Sequence, residues 1–227
     1  MSIRESTSIR VSTSIRVSTS IRNTAVLGKP QFIFVNFHST RMKDPQNSSK
    51  QEPWEDPRGS HDDQDIRDDQ DIRDHPSSHP GIVLHPPEHI PDGVEFPIQE
   101  ADIEAILAAT EEHEGVQFAA LEVVFMSPEE ITEINRTYLN HDYVTDIITF
   151  RLDDEEDRSA LEGTLCCCDD RIREQSKELG VEVREEFLRV LIHGVLHLCG
   201  WEDDSDEKQQ AMREREDFYL ERIQKVG

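Results

Sequence analysis

The sequence has no long apolar run. No stretch of 18 apolar residues occurs among its 227 residues, whereas a helix that spans a bilayer needs about 20. The N-terminal arginines are not followed by the apolar core of a secretory signal. We therefore expect neither a membrane segment nor secretion.

Cysteine is also scarce. Three of the four cysteines are adjacent, Cys166, Cys167 and Cys168, and no Cys-x-x-Cys spacing occurs. Adjacent cysteines cannot easily bridge to one another, so the set does not form a disulfide framework. We expect small, buried, reduced side chains, which suits a reducing cytoplasm, and we predict a cytoplasmic location.

The sequence has few basic residues relative to acidic ones. Lysine is rare and the formal net charge is −25, so the surface should repel phosphates rather than attract them. One hypothesis is adaptation to high salt, which screens such repulsion. The alternative is a protein that never binds nucleic acid.

The N-terminal part of the chain is repetitive. A six-residue unit recurs over residues 1–22, and Asp-Asp-Gln-Asp-Ile-Arg recurs over residues 62–74. We predict that residues 1–92 form a low-complexity, mostly disordered extension, and that only the apolar patch 31–37 can order, as a strand or as a sticky apolar segment. A targeting tail and a start assigned upstream of the true one are alternative explanations.

The predicted folded domain covers residues 93–227 and has the length of a single core. Periodicity and helix-end signals predict strands over 94–98, 118–126, 145–150 and 161–168. They predict helices over 98–113, after the Ser127–Glu130 capping box, over 169–179, 183–199 and 205–224. The order indicates an α+β fold, a small mixed β-sheet flanked by helices.

One of these helices carries a metal-ligand pattern. His193 and His197 are four residues apart in an apolar run and share one helix face. Gly200 can take the left-handed conformation that ends a helix, and the turn would bring Asp203 towards the imidazoles. Two imidazoles, a carboxylate and a fourth position for water are the ligands of a catalytic zinc site. We predict one Zn²⁺ held by His193, His197 and Asp203 on this central helix and the loop after it.

Residues 193–203, His-Gly-Val-Leu-His-Leu-Cys-Gly-Trp-Glu-Asp, resemble the signature of the YbeY-type rRNA maturation factors, which are metal-dependent endoribonucleases. The family pattern is His-Gly-x-Leu-His-Leu-x-Gly-Tyr-Asp-His. Trp201, Glu202 and Asp203 depart from it, and Asp203 stands where a third histidine is usual. Residues 135–150 and 163–165 are similar to two further blocks of the family, so that the likeness spans residues 94–227.

The resemblance implies a function. It implies a single-strand-specific endoribonuclease that matures the 3′ end of small-subunit (16S) rRNA and acts in ribosome quality control. Its implied partners are rRNA and the small ribosomal subunit, with no membrane and no nucleotide cofactor. Two departures bear on the chemistry: Leu139 replaces a usual arginine, and Thr164 replaces a usual aspartate.

The catalytic residues are not fixed by the sequence. Glu202, as a ligand-orienting group or proton relay, and His141 are the candidates. His141, Arg136 and Arg151 are the candidates for phosphate contact in place of the missing arginine. Each of these is equally compatible with an ordinary surface role.

Several nearby residues have open assignments. Asp204 is a rival of Asp203 as third ligand. Asp146 either holds a strand end or faces the cleft, and Trp201 is a packing anchor or, less in keeping with its position, a base-stacking platform. Cys199 should point away from the ligands.

Two other functions compete with a nuclease. A zinc peptidase would need His-Glu-x-x-His, and Gly194 occupies the glutamate position. A non-catalytic ribosome-binding or assembly module with a structural metal is favoured by Leu139 and by the acidic surface.

Overall fold

The computed structural model describes residues 31–33, 81–90, 95–153 and 160–226. The strands are β1 Gln31–Ile33, β2 Ile82–His85, β3 Phe118–Met126, β4 Ile147–Arg151 and β5 Leu161–Cys168. The helices are α1 Glu100–Glu114, α2 Pro128–Leu139, α3 Asp169–Leu179, α4 Val183–Leu198 and α5 Asp206–Val226. No helix in this part of the chain is long and apolar enough to cross a membrane.

The strands form one mixed sheet in the order β1-β4-β5-β3-β2. β2, β3 and β5 run parallel, whereas β4 is antiparallel to both β1 and β5. Helices cover both faces, so the predicted α+β fold with a small mixed sheet is confirmed.

The two sheet faces bury separate apolar clusters, because successive strand residues point to opposite faces. The larger cluster joins the sheet to α1, α3, α4 and α5, and the smaller one lies beneath α2. The cysteine run follows this alternation: Cys167 belongs to the larger cluster, and Cys166 and Cys168 to the smaller. All three are free and buried, as predicted.

Two glycines let α4 lie close to the sheet. A Cβ on Gly194 would be 2.6 Å from Cδ1 of Ile147, and a Cβ on Gly163 would be 2.7 Å from Cδ1 of Leu198. Both distances are well inside van der Waals contact. Glycine at these two positions therefore brings the backbone of α4 against β4 and β5.

The predicted strand 94–98 is wrong over residues 95–98, which are irregular. Pro97 cannot donate a ladder hydrogen bond, and Ile98 is buried in the core just before α1. The position beside β3 belongs instead to β2, at Ile82–His85.

The predicted extension 1–92 thus contains two strands of the sheet, β1 and β2. The patch 31–37 does include a strand, over residues 31–33. Most of the extension, including both repeats, lies outside the described residues, and its disorder stays a prediction.

Candidate metal centre

The end of α4 turns the chain back towards its own histidines. Gly200 has φ of 95°; its N–H donates to the carbonyl of His197 at 2.9 Å, and that of Trp201 donates to the carbonyl of Leu196 at 3.0 Å. This pair of bonds is the Schellman motif. The chain therefore reverses direction at Gly200, as we predicted, and Asp203 lies back over the last turn of the helix.

The three predicted ligands come together. Nε2 of His193 and Nε2 of His197 are 3.1 Å apart, and each lies 3.9 Å from a carboxylate oxygen of Asp203. In a tetrahedral site with bonds of about 2.0–2.1 Å, ligand atoms are roughly 3.3 Å apart. The three atoms therefore need only small side-chain shifts to share one ion.

A buried carboxylate orients the first imidazole. Nδ1 of His193 is 2.8 Å from Oε1 of Glu216, whose side chain is 1% exposed. A carboxylate only accepts, so Nδ1 carries the proton and Nε2 presents its lone pair to the ligand cluster. Arg189 donates to the other oxygen of Glu216 at 3.3 Å and contacts Asp217 at 2.6 Å.

The electrostatics keep the second imidazole neutral. Burial is the main cause that lowers the pKa of His197, to about 3. Burial is also what raises the pKa of the Asp203 carboxyl. His197 is therefore a free lone-pair donor at neutral pH, which is the form that binds a metal.

The rival acids lie outside this cluster. The side chains of Glu202 and Asp204 are 67% and 72% exposed, and both pair with Lys208. Asp203 is the acid whose oxygens face the two histidines. Cys199 does not belong to the cluster of possible ligands among the described residues.

The two arginines that were candidates for phosphate contact form ion pairs with carboxylates of the chain. Arg136 contacts Asp142 and Glu133 on the surface, and Arg151, 8% exposed, contacts Asp153 at 2.6 Å. His141 is partly exposed. Leu139, at the usual arginine position, is buried in the apolar cluster beneath α2.

Asp146 holds a strand end. Its carboxylate accepts from the backbone N–H of Ile147 and from Nε2 of Gln175, both at 2.9 Å. Burial raises the pKa of the Asp146 carboxyl, and the hydrogen bond from Gln175 acts against that rise. Thr164 is fully buried and donates to Glu122 at 3.4 Å.

A second buried carboxylate was not foreseen from the sequence. Glu114, at the end of α1, accepts from the indole N–H of Trp201 at 3.0 Å, from Tyr219 at 2.7 Å and from Arg215 at 2.7 Å. Trp201 is thus a packing anchor, as expected. The contact ties α1 and α5 to the segment that carries Asp203.

Glu216 was also missed. The sequence feature that could have identified it is an acid on the inner, apolar face of α5, between Met212 and Leu220. A buried carboxylate without a partner would be costly there, so a partner is expected.

The folded part of the chain is similar to known proteins. The family described as endoribonuclease YbeY matches residues 93–224. A protein named endoribonuclease YbeY from Chlorobaculum parvum is 40% identical over 110 residues, 48% of this chain and 76% of its own. Its namesake from Cytophaga hutchinsonii is 36% identical over 122 residues, 54% of this chain and 84% of its own.

A third relative of that name, from Bacteroides thetaiotaomicron, is 41% identical over 106 residues, 47% of this chain and 75% of its own. A solution structure from Thermotoga maritima, 25% identical, covers 63% of this chain and 88% of its own with a TM-score of 0.41. On the extent of the family match and the identity to these relatives, the chain belongs to the endoribonuclease YbeY family.

Proposed function

We propose that this protein is a metal-dependent endoribonuclease that cuts single-stranded RNA, and that His193, His197 and Asp203 hold its metal. The observation that carries the proposal is the convergence of three ligand atoms within 4.8 Å of one another on α4 and the following loop. The relatives named as endoribonucleases supply the reaction class.

The proposed ion is zinc, one per chain. Two neutral imidazoles and one carboxylate are a usual set of three protein ligands for catalytic zinc, and they leave a fourth position open. When bound there, the ion supplies a Lewis acid and lowers the pKa of its water to about 7.

Other features of the chain orient the ligands and leave one side of them exposed. Glu216 holds the protonated Nδ1 of His193, so that the ring cannot rotate away from the cluster. Both histidine side chains are 2% exposed, whereas Asp203 is 21% exposed. The cluster is therefore accessible on the Asp203 side, and we place the scissile phosphodiester there.

The proposed substrate is the 3′ end of small-subunit (16S) rRNA, with the small ribosomal subunit as partner, in maturation and quality control. This rests on the resemblance over residues 94–227. A cytoplasmic location and the absence of a nucleotide cofactor belong to the same proposal.

The test is cleavage of single-stranded and structured RNA by protein stripped with chelator and then reloaded with zinc. We expect wild type to cut single-stranded RNA only when reloaded, and His197→Ala to lose both zinc and cleavage. His89→Ala, which removes an exposed histidine, is the matched control and should behave as wild type. Equal cleavage by His197→Ala and wild type would refute the proposal.

The second candidate function is a non-catalytic ribosome-binding module with a structural metal. It is favoured by Leu139, whose burial leaves no guanidinium at that position. Tight binding to small ribosomal subunits, unaffected by chelation and without cleavage, would support it over the nuclease.

A zinc peptidase is disfavoured by Gly194. The general base of such enzymes would occupy this position, yet a Cβ here would be 2.6 Å from Ile147 and 2.9 Å from Leu165 in the helix–sheet interface. A glutamate at this point would be directed into the core and away from the ligand cluster.

A further inference from the structure

The segment between α2 and β4 is held in one conformation. Asn140 ends α2 with φ of 58°, and the buried side chain of Asn135 donates to the carbonyl of Tyr143 at 2.9 Å. The guanidinium of Arg136 donates to one oxygen of Asp142 at 2.6 and 3.2 Å. Although it is a loop, this segment can therefore present a side chain at a fixed position.

The side chain that it presents is an aromatic ring. Tyr143 is 41% exposed and stacks on His141, with ring centroids 5.3 Å apart and planes at 20°. The Tyr143 hydroxyl is 3.2 Å from Nδ1 of His141. Tyr143 and its neighbour Val144 are two of the three large apolar side chains that are exposed in the described part of the chain.

A short stretch of chain connects this ring to the helix that carries His193 and His197. Ile147, four residues further on, contacts α4 at Gly194, the residue next to His193. Four extended residues span at most about 14 Å. Tyr143 is therefore within about 14 Å of a residue that packs on the helix of the two histidines, and single-stranded RNA sites, which extend over about 4–16 nucleotides, are longer than this span.

The charges near this segment favour stacking over ion pairing as a means of holding RNA. The net charge of −25 opposes phosphate binding, and the nearby Arg136 and Arg151 are already paired with carboxylates. Stacking of a base on an aromatic ring needs no cation and accepts every base.

We propose that Tyr143, backed by His141, is a stacking platform for one nucleobase of a single-stranded RNA that is bound at the metal centre. The inference deepens the proposed nuclease function and rests on its RNA substrate. It assigns to Tyr143 a part of the affinity that a phosphate-binding arginine would otherwise supply.

The test is the dissociation constant of a fluorescent single-stranded oligoribonucleotide, measured with chelator present so that no cleavage occurs. Tyr143→Ala and Tyr143→Leu should weaken binding about 5- to 100-fold, the usual worth of one base stacked on an aromatic ring. Tyr143→Phe keeps the ring and should stay within about twofold. Val83→Ala removes an exposed apolar side chain on β2 and serves as the matched control.

Two further measurements separate stacking from a structural effect. The fold-change for Tyr143→Leu should be the same at low and high salt, because stacking is not screened as ion pairs are. With zinc restored, the substitution should raise KM and leave kcat nearly unchanged.

The outcomes distinguish this inference from the proposed function. Equal affinity of wild type, Tyr143→Ala and Tyr143→Leu would overturn the platform, even if wild type cleaves RNA. No binding of single-stranded RNA by wild type would also overturn it. Weakened binding by Tyr143→Leu without any cleavage by wild type would support the platform and refute the nuclease.

Discussion

Replacing Glu114 with glutamine tests how strongly the segment that carries Asp203 depends on a distant helix. The Glu114 side chain is 2% exposed and that of Arg215 is 8% exposed. Burial raises the pKa of the Glu114 carboxyl, but hydrogen bonds from Trp201, Tyr219 and Arg215 outweigh it, and the net pKa lies below its ordinary value. The folded protein thus favours the carboxylate, and stability depends on that charge.

The magnitude follows from what the substitution leaves behind. Glutamine keeps the shape but removes the negative charge, so the buried guanidinium of Arg215 loses its ion pair with Glu114. Breaking a buried ion pair costs about 3–5 kcal/mol. We expect a loss near the lower end of that range, because the amide oxygen still accepts one bond, and a fall in Tm of roughly 10 °C for a domain of this size.

The assay is urea unfolding followed by circular dichroism, with Glu104→Gln as control. Glu104 is an exposed acid on the same helix, and its replacement should change the free energy of unfolding by less than about 0.5 kcal/mol. Equal effects of the two substitutions would refute the reasoning, because the buried contacts of Glu114 would then contribute nothing.

The pH dependence supplies a second check on Glu114. A carboxyl whose pKa is depressed by folding stabilises the protein above its unfolded pKa, and this contribution is lost as the pH falls through the lower, folded pKa. The stability difference between wild type and Glu114→Gln should therefore be full at pH 7 and shrink below about pH 4. A difference that grows on acidification would contradict this sign.

Further predictions concern the metal centre and the helix–sheet contact. Glu216→Gln should weaken zinc binding about 10- to 100-fold in a chelator competition, because the His193 ring loses its carboxylate partner. Asp203→Ala should abolish stoichiometric zinc in metal analysis, whereas Asp204→Ala should retain it. Gly194→Ala should lower the free energy of unfolding by about 1–3 kcal/mol in urea, since the new methyl group overlaps Ile147. Salt removal should lower the Tm, as expected of an acidic, salt-adapted surface.

The helix α4 was predictable because its signals are local. The i, i+4 spacing of His193 and His197 and the glycine at position 200 lie within about two turns of helix, and the structure has the helix and its end where these signals predict them. The strands β3 and β5 were predicted with their observed ends for the same reason, since each is a long β-branched or apolar run with a clear boundary.

The features that could not be predicted depend on contacts between residues far apart in the sequence. β2 is four residues in a proline- and histidine-rich stretch, and only its pairing with β3 makes it a strand. The contact between Glu114 and Trp201 joins residues 87 positions apart, and that between His193 and Glu216 joins residues 23 apart. Such pairs depend on how helices pack, which no local pattern encodes.

The glycines at positions 163 and 194 bear on how an ion enters and leaves. They let α4 approach the sheet so closely that His193 and His197 are carried on a helix that cannot slide or turn without opening the core. Asp203 follows the bend at Gly200, in a segment held by side-chain hydrogen bonds, from Trp201 to Glu114 and from Gln209 to the Asp203 carbonyl, and not by the sheet. Exchange of the ion with solvent should therefore proceed by displacement of the segment after this bend, and its rate should report the motion of that segment rather than of the helix.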